Sequence, residues 1–291
     1  MAGGPMSQSV LFDAPGPRTI RRHRLYTVVT LVLIAGAVAY AVYKLNEREQ
    51  FAGDKWEVFT TPEYIEFILR EGVLQTLKMA AGGIAGALVL GIVLGIGKLS
   101  DHRIVRVPCW TIVEFFRAVP VLFLMIFFFS LYGITHGATG SFWCVVWALS
   151  LYNGAVLAEI FRAGILAVPP GQAEAAYAVG MRKSQVMAIV LLPQAVKIMI
   201  PAIISQCVVT LKDTSLGYAI AAPGLTAVAK PIYGEFFNHL PVYAVIAVIY
   251  ILLNLILTWL ATLAQKRFVG EKKVLEVAMV GEGDPTAKAP R

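Results

Sequence analysis

Apolar residues fall into long runs separated by short polar stretches. Residues 25–43 and 79–97 are each nineteen uncharged positions, and 137–158 is twenty-two. The run 240–265 is also free of charge, while 107–132 is apolar but carries Glu114 and Arg117 within it. A shorter run of fourteen, 198–211, is bounded by Lys197 and Lys212. About 20 apolar residues of helix cross a bilayer core. The pattern therefore predicts an all-α polytopic membrane protein with six spans, of which 198–211 is the weakest.

Lysine and arginine sort by side. With the N-terminus inside, alternation places 16 basic residues in inner segments and six in outer ones. Inner segments of a membrane protein hold that excess, so both termini are expected to be cytoplasmic. Arg21, Arg22 and Arg24 before an apolar run, with Ala39-Tyr40-Ala41 after it, also fit a cleavable secretory signal. The run exceeds a usual signal core, which favours an uncleaved first helix. The organisation expected is a cytoplasmic tail at 1–24, a first helix at 25–43 and an extracytoplasmic segment at 44–71. A membrane domain at 72–268 and a second cytoplasmic tail at 269–291 follow. The Gly/Pro/Ser-rich 1–17 and the charged 270–291 are expected to be disordered.

Composition agrees with lipid as the solvent: 58% of the 291 residues are hydrophobic and 15% charged, against roughly 25% charged in soluble domains. The net charge of +7 sits beside apolar runs rather than along one stripe, so no nucleic-acid partner is indicated. Cys109, Cys144 and Cys207 stand far apart without metal-ligand spacing, and no cofactor or metal is expected. A phosphate-binding GxxxxGK[ST] loop is absent from the sequence. Hydrolytic motifs are absent too, so any ATP consumed is hydrolysed by a partner.

Three features carry mechanism. Gly82 and Gly86, then Gly91 and Gly95, stand four apart; small residues at that spacing let helix backbones approach closely in lipid. Charges at membrane depth cost about 2.5–3.5 kcal/mol on insertion scales and so face a partner or a water-filled path. Glu114 and Arg117, like Glu159 and Arg162, are three apart and able to pair along one helix. Alternatively they face a ligand path, where Arg117 or Lys212 would meet a negative group and Glu159 or Asp213 a positive one, with Asn153, Thr214 and Ser215 supplying neutral hydrogen bonds. Third, about thirty residues from Arg162 to Pro193 interrupt the membrane pattern. They contain Pro169-Pro170-Gly171, a short helical run over 172–178, and Gly180 available as its left-handed stop.

Glu174-Ala175-Ala176, Gly180, Val190 and Leu192-Pro193 stand at the spacing of the EAA loop of bacterial binding-protein-dependent ABC importer permeases. Val190 is the one departure, where that pattern usually has isoleucine. Further segments resemble the polar amino-acid branch of these permeases. They are Glu114-Phe115-Phe116-Arg117-Ala118-Val119-Pro120, Asn153-Gly154-Ala155, the segments beginning at Ala158 and Val168, and Leu211-Lys212-Asp213-Thr214-Ser215-Leu216. The match covers roughly 72–268 and is closest to glutamate-type permeases. The resemblance implies a five-helix permease core preceded by an extra helix, and a coupling helix within 163–193 that rests on an ABC ATPase. Glu174, Ala175, Ala176, Gly180 and Pro193 would serve that coupling. Implied partners are an ATPase dimer, a second, homologous permease subunit and an extracytoplasmic amino-acid-binding protein. The main rival is a secondary transporter or channel driven by ion coupling, which leaves the thirty-residue insert without a role. A membrane-embedded enzyme is the other.

Overall fold

The computed structural model describes residues 16–269, and every regular element among them is helical. The tails expected at 1–17 and 270–291 fall almost wholly outside the described residues. Helix α1 spans Pro17–Glu47, with Pro17 at a position whose N–H needs no intrahelical partner. The helix therefore starts before the apolar run and carries Arg18, Arg21, Arg22 and Arg24 on its first turns, where a tail had been expected. It is followed by α2, Pro62–Phe67, and α3, Leu74–Lys98. Next come α4, Arg103–Ala118, α5, Val121–Phe128, and α6, Ile134–Leu166. The short α7 is Pro170–Ala178, and α8 is Leu192–Asp213. Helices α9, Ala229–Phe236, and α10, His239–Val269, are the last among the described residues.

Among the described residues, five stretches are long and apolar enough to cross a membrane: Arg18–Glu47, Pro62–Lys98, Val121–Leu166, Lys183–Ile220 and His239–Arg267. Two differ from expectation. The weak fifth run is strengthened because α8 extends it at both ends through a π-helical turn at Val186–Leu191 and a 3-10 segment at Thr214–Ile220. The third run, 107–132, is not one helix. Pro120 offers no N–H and biases the preceding residue away from helix; Val119 sits at φ −81°, ψ 125°, and separates α4 from α5. Helix α5 then turns back. Gly137 adopts φ 58°, ψ −143°, which a residue with a Cβ resists. The Phe128 and Trp147 rings, on either side of that break, lie 6.0 Å apart, and Tyr132 and Trp147 lie 5.2 Å apart.

The chain divides into two compact units. Among the described residues the smaller comprises 16–65 and 231–245. In it the Gln50 side chain donates to the Phe237 carbonyl at 3.4 Å and accepts from the Leu240 N–H at 3.2 Å. Asn238 donates to the Lys55 carbonyl at 2.9 Å, and the Tyr64 hydroxyl to Glu235 at 3.0 Å. The segments expected outside the membrane on either side of the core thus bond to each other.

The larger unit, 66–230 and 246–269 among the described residues, centres on α3 packed along α6. All four spaced glycines of α3 face that helix. A Cβ on Gly91 would stand 2.7 Å from Leu157 Cβ, and one on Gly95 3.1 Å from the Ala158 carbonyl. Contact that close explains glycine here: in lipid, helix association draws on van der Waals packing rather than the hydrophobic effect. Met79, Met125, Val145 and Leu149 fill the core beside it.

Candidate functional site

Helix α7 has the shape its residues dictate. Pro170 opens it at a position needing no N–H, and Ala-rich sequence propagates it. Gly180 takes φ +83° and donates its N–H to the Tyr177 carbonyl at 2.9 Å, while the Met181 N–H bonds the Ala176 carbonyl at 3.2 Å. These bonds occupy carbonyls that the helix end would otherwise leave open. Glu174, Ala175 and Gly180 are exposed and Ala176 is buried. Val179 is 77% exposed and Tyr177 48%. A short, sharply stopped helix thus presents a carboxylate and apolar side chains on its open face. Pro193, exposed, lies in the first turn of α8.

The charges singled out in the sequence form two sets of different character. Glu114 and Arg117, expected within a span, lie instead on α4, outside the five stretches able to cross a membrane, because the chain breaks at Val119-Pro120. Glu114 accepts from Arg117 at 3.3 Å, and Glu159 accepts from Arg162 Nε at 2.9 Å, as the spacing of three predicts. Between the pairs stands Lys98, the last residue of α3, with its side chain 3% exposed. Its Nζ lies 2.6 Å from Glu159 and 3.4 Å from Glu114. Five alternating charges therefore tie α3, α4 and α6 into one network, and the ammonium gains further from the negative end of α3. The network borders a cleft of about 490 Å³ that also exposes Arg106 and Trp110.

The second set is not paired. Among the described residues neither Lys212 nor Asp213 has an ion-pair partner. Lys212 and Ser215 line a cavity of about 450 Å³ with Tyr250, Asn254 and Thr258 of α10. Asn254 donates to the Tyr250 carbonyl at 2.7 Å, but its buried Oδ1 accepts nothing. Thr214 is buried and donates to the Leu211 carbonyl at 2.7 Å; its hydroxyl also meets that of Tyr250, together with Thr76 and Thr226. Asn153 is fully buried: it donates to the Leu149 carbonyl at 3.0 Å and accepts from Gln206 at 2.5 Å, bridging α6 to α8. Of the residues expected to offer hydrogen bonds to a substrate, Ser215 is open to a cavity, whereas Asn153 and Thr214 spend theirs on the protein.

Lys98 and the α10 residues were not singled out by the sequence. Lys98 reads as one more inner-loop cation, since nothing local marks it as buried. A signal did exist in α10: Tyr250, Asn254, Thr258 and Thr262 stand four apart in an otherwise apolar run, a polar stripe along one helix face.

Outside the membrane stretches, Asp101 in the α3–α4 turn receives a charge-assisted hydrogen bond from Lys183, just beyond α7. That bond holds the Asp101 carboxyl below its ordinary 3.8.

Comparison with known proteins gives this arrangement a context. Residues 87–270 match the family model described as binding-protein-dependent transport system inner membrane component. The chain is 40% identical over 242 residues to the glutamate transport system permease protein GluD of Corynebacterium glutamicum, covering 82% of this chain and 89% of that protein. It is 36% identical over 213 residues to the arginine transport system permease protein ArtQ of Bacillus subtilis, covering 72% and 94%. A crystal structure of an amino acid ABC transporter with histidines superposes at a TM-score of 0.64 with 29% identity, over 70% of this chain and 95% of that one.

Proposed function

We propose, from the premise that this chain belongs to the family of binding-protein-dependent transport system inner membrane components, that it is the membrane-spanning subunit of an ATP-driven importer of polar amino acids, with glutamate as its substrate. It is a transport component rather than an enzyme; hydrolysis falls to a separate ATPase. The observation that carries the substrate is the 40% identity to a permease named for glutamate across 82% of the chain.

Two features support six crossings with both termini inside. The outer-side residues Gln50 and Lys55 bond to Phe237 and Asn238, just before the last apolar run, and the inner turns meet through Asp101 and Lys183. The break at Gly137, with aromatic contacts across it, divides the 46-residue stretch. That stretch would be roughly 69 Å long as one straight helix, more than twice a bilayer core.

In this reading α7 is the coupling helix. It seats its exposed face in an ATPase groove, with Glu174 toward the partner surface and Gly180 turning the chain away. The substrate pathway runs beside Lys212, Asp213 and Ser215. The unpaired Lys212 ammonium takes a substrate carboxylate, and Asp213 or Glu159 its ammonium. Glu114, Glu159 and Arg162 border the pathway through their cleft, and Arg117 helps hold its wall through Glu114. A homologous second permease, a pair of ATPases and an extracytoplasmic binding protein complete the importer. Uptake of radiolabelled glutamate, glutamine and arginine, in cells with and without this chain, tests the assignment. Loss of glutamate uptake alone is expected; loss of arginine or glutamine uptake instead would overturn glutamate as the substrate.

A further inference from the structure

The α3–α4 turn grips the chain on both sides of α7. Before α7, Glu159 lies eleven residues upstream of Pro170 on the helix that leads into it, and its carboxylate is held by Lys98 Nζ at 2.6 Å. After α7, Lys183 lies five residues beyond Ala178 and is held by Asp101. Lys98 and Asp101 are three residues apart. One end of α3 thus holds the entry and the exit of the same nine-residue helix, and Lys98 carries the hold on to α4 through Glu114. Close backbone contact stiffens the same corner, with Gly95 against the Ala158 carbonyl.

We propose that Lys98 and Asp101 form a two-point charge clamp that makes the α3–α4 corner follow α7, so that displacement of α7 by the ATPase is delivered to α3 and α4 as well as to its covalent neighbours, α6 and α8. Both are positioning residues, acting through the charged side chains they hold. This rests on α7 being the coupling helix. An exposed ion pair contributes little to stability by itself, and the role assigned to Asp101–Lys183 is directional: it sets which helix moves with which. The buried Lys98 side supplies the rigid half of the clamp, because breaking it would strand Glu159 and Glu114 with one partner each.

The test uses the assembled importer in proteoliposomes, reading glutamate accumulated per ATP hydrolysed. Asp101→Lys, which sets two cations against each other, is expected to lower that ratio about tenfold, in the range of allosteric coupling energies, while hydrolysis continues. The exchanged pair, Asp101→Lys with Lys183→Asp, restores the ratio to within about twofold of wild type if the attraction between the two positions carries the effect. Lys98→Met lowers the ratio further. Glu174→Arg with Gly180→Pro serves as the reference. If the reference variant uncouples transport but Asp101→Lys keeps a normal ratio, the clamp is overturned and the coupling helix stands. If Asp101→Lys uncouples and the exchanged pair does not recover, Asp101 acts through something other than Lys183 and the clamp is again overturned. A normal ratio in the reference variant overturns the coupling-helix reading itself.

Discussion

The Lys98 network and the Lys212 cavity hold the same kinds of side chain and treat them oppositely. Around Lys98, three cations and two carboxylates alternate, and each finds a protein partner. Around Lys212, a cation lies open to a cavity beside an amide oxygen that accepts nothing. Charges in a membrane are costly unless answered. A set answered by the protein holds helices together, and a set left unanswered is suited to a ligand that brings both charges. An amino acid does so at any pH near neutrality.

The most drastic way to break this comparison is to remove the centre of the network. Lys98→Ala leaves Glu159, 25% exposed, and Glu114, 41% exposed, with one arginine each. Its cost should therefore fall below the roughly 3–5 kcal/mol of stranding a fully buried charge but above that of an exposed pair. Thermal unfolding in detergent should show a clear loss of stability; an unchanged midpoint would mean that the network is not structural. Next in size is Lys212→Gln, expected to lower glutamate transport about tenfold through the loss of a charge-assisted bond worth about 1.5 kcal/mol or more. Its unfolding midpoint should match wild type, because no protein partner is stranded. A stability loss without a transport defect would reverse the roles of the two sets.

Arg117→Ala sharpens the contrast from the other side. Arg117 is 39% exposed and pairs along its own helix, so its removal should cost under about 1 kcal/mol. The concentration dependence of glutamate uptake should not change. A markedly raised half-saturation would instead place Arg117 at the substrate. The smallest effect concerns Asp101. Its carboxyl is held below the ordinary value by Lys183, so the tie is fully present above that value and is lost as pH falls through the lowered one. A carboxyl-carbon NMR titration should find a midpoint under 3.8 that returns towards it in Lys183→Met; a midpoint insensitive to Lys183 would contradict the contact.

Much of this was legible in the chain because lipid imposes simple rules. Run length marked the long apolar helices except at 107–132, Gly180 marked the stop of α7, and spacing of three marked the Glu114–Arg117 and Glu159–Arg162 pairs. What escaped depended on contacts between distant segments. Lys98 meets Glu159 across 61 residues and Asn153 meets Gln206 across 53, and no local pattern encodes either. Pro120 was visible, but whether a proline inside an apolar run kinks a helix or divides it depends on what neighbouring helices supply. Here it divides α4 from α5.

The central claim is ATP-driven import of glutamate through a complex containing this chain. The most direct measurement is radiolabelled glutamate accumulation in proteoliposomes holding this chain with its partner permease, ATPase and binding protein, with and without ATP inside. The account predicts accumulation only with ATP, and none when α7 carries Glu174→Arg and Gly180→Pro. Accumulation without ATP that follows an imposed ion gradient would contradict it and identify a secondary transporter.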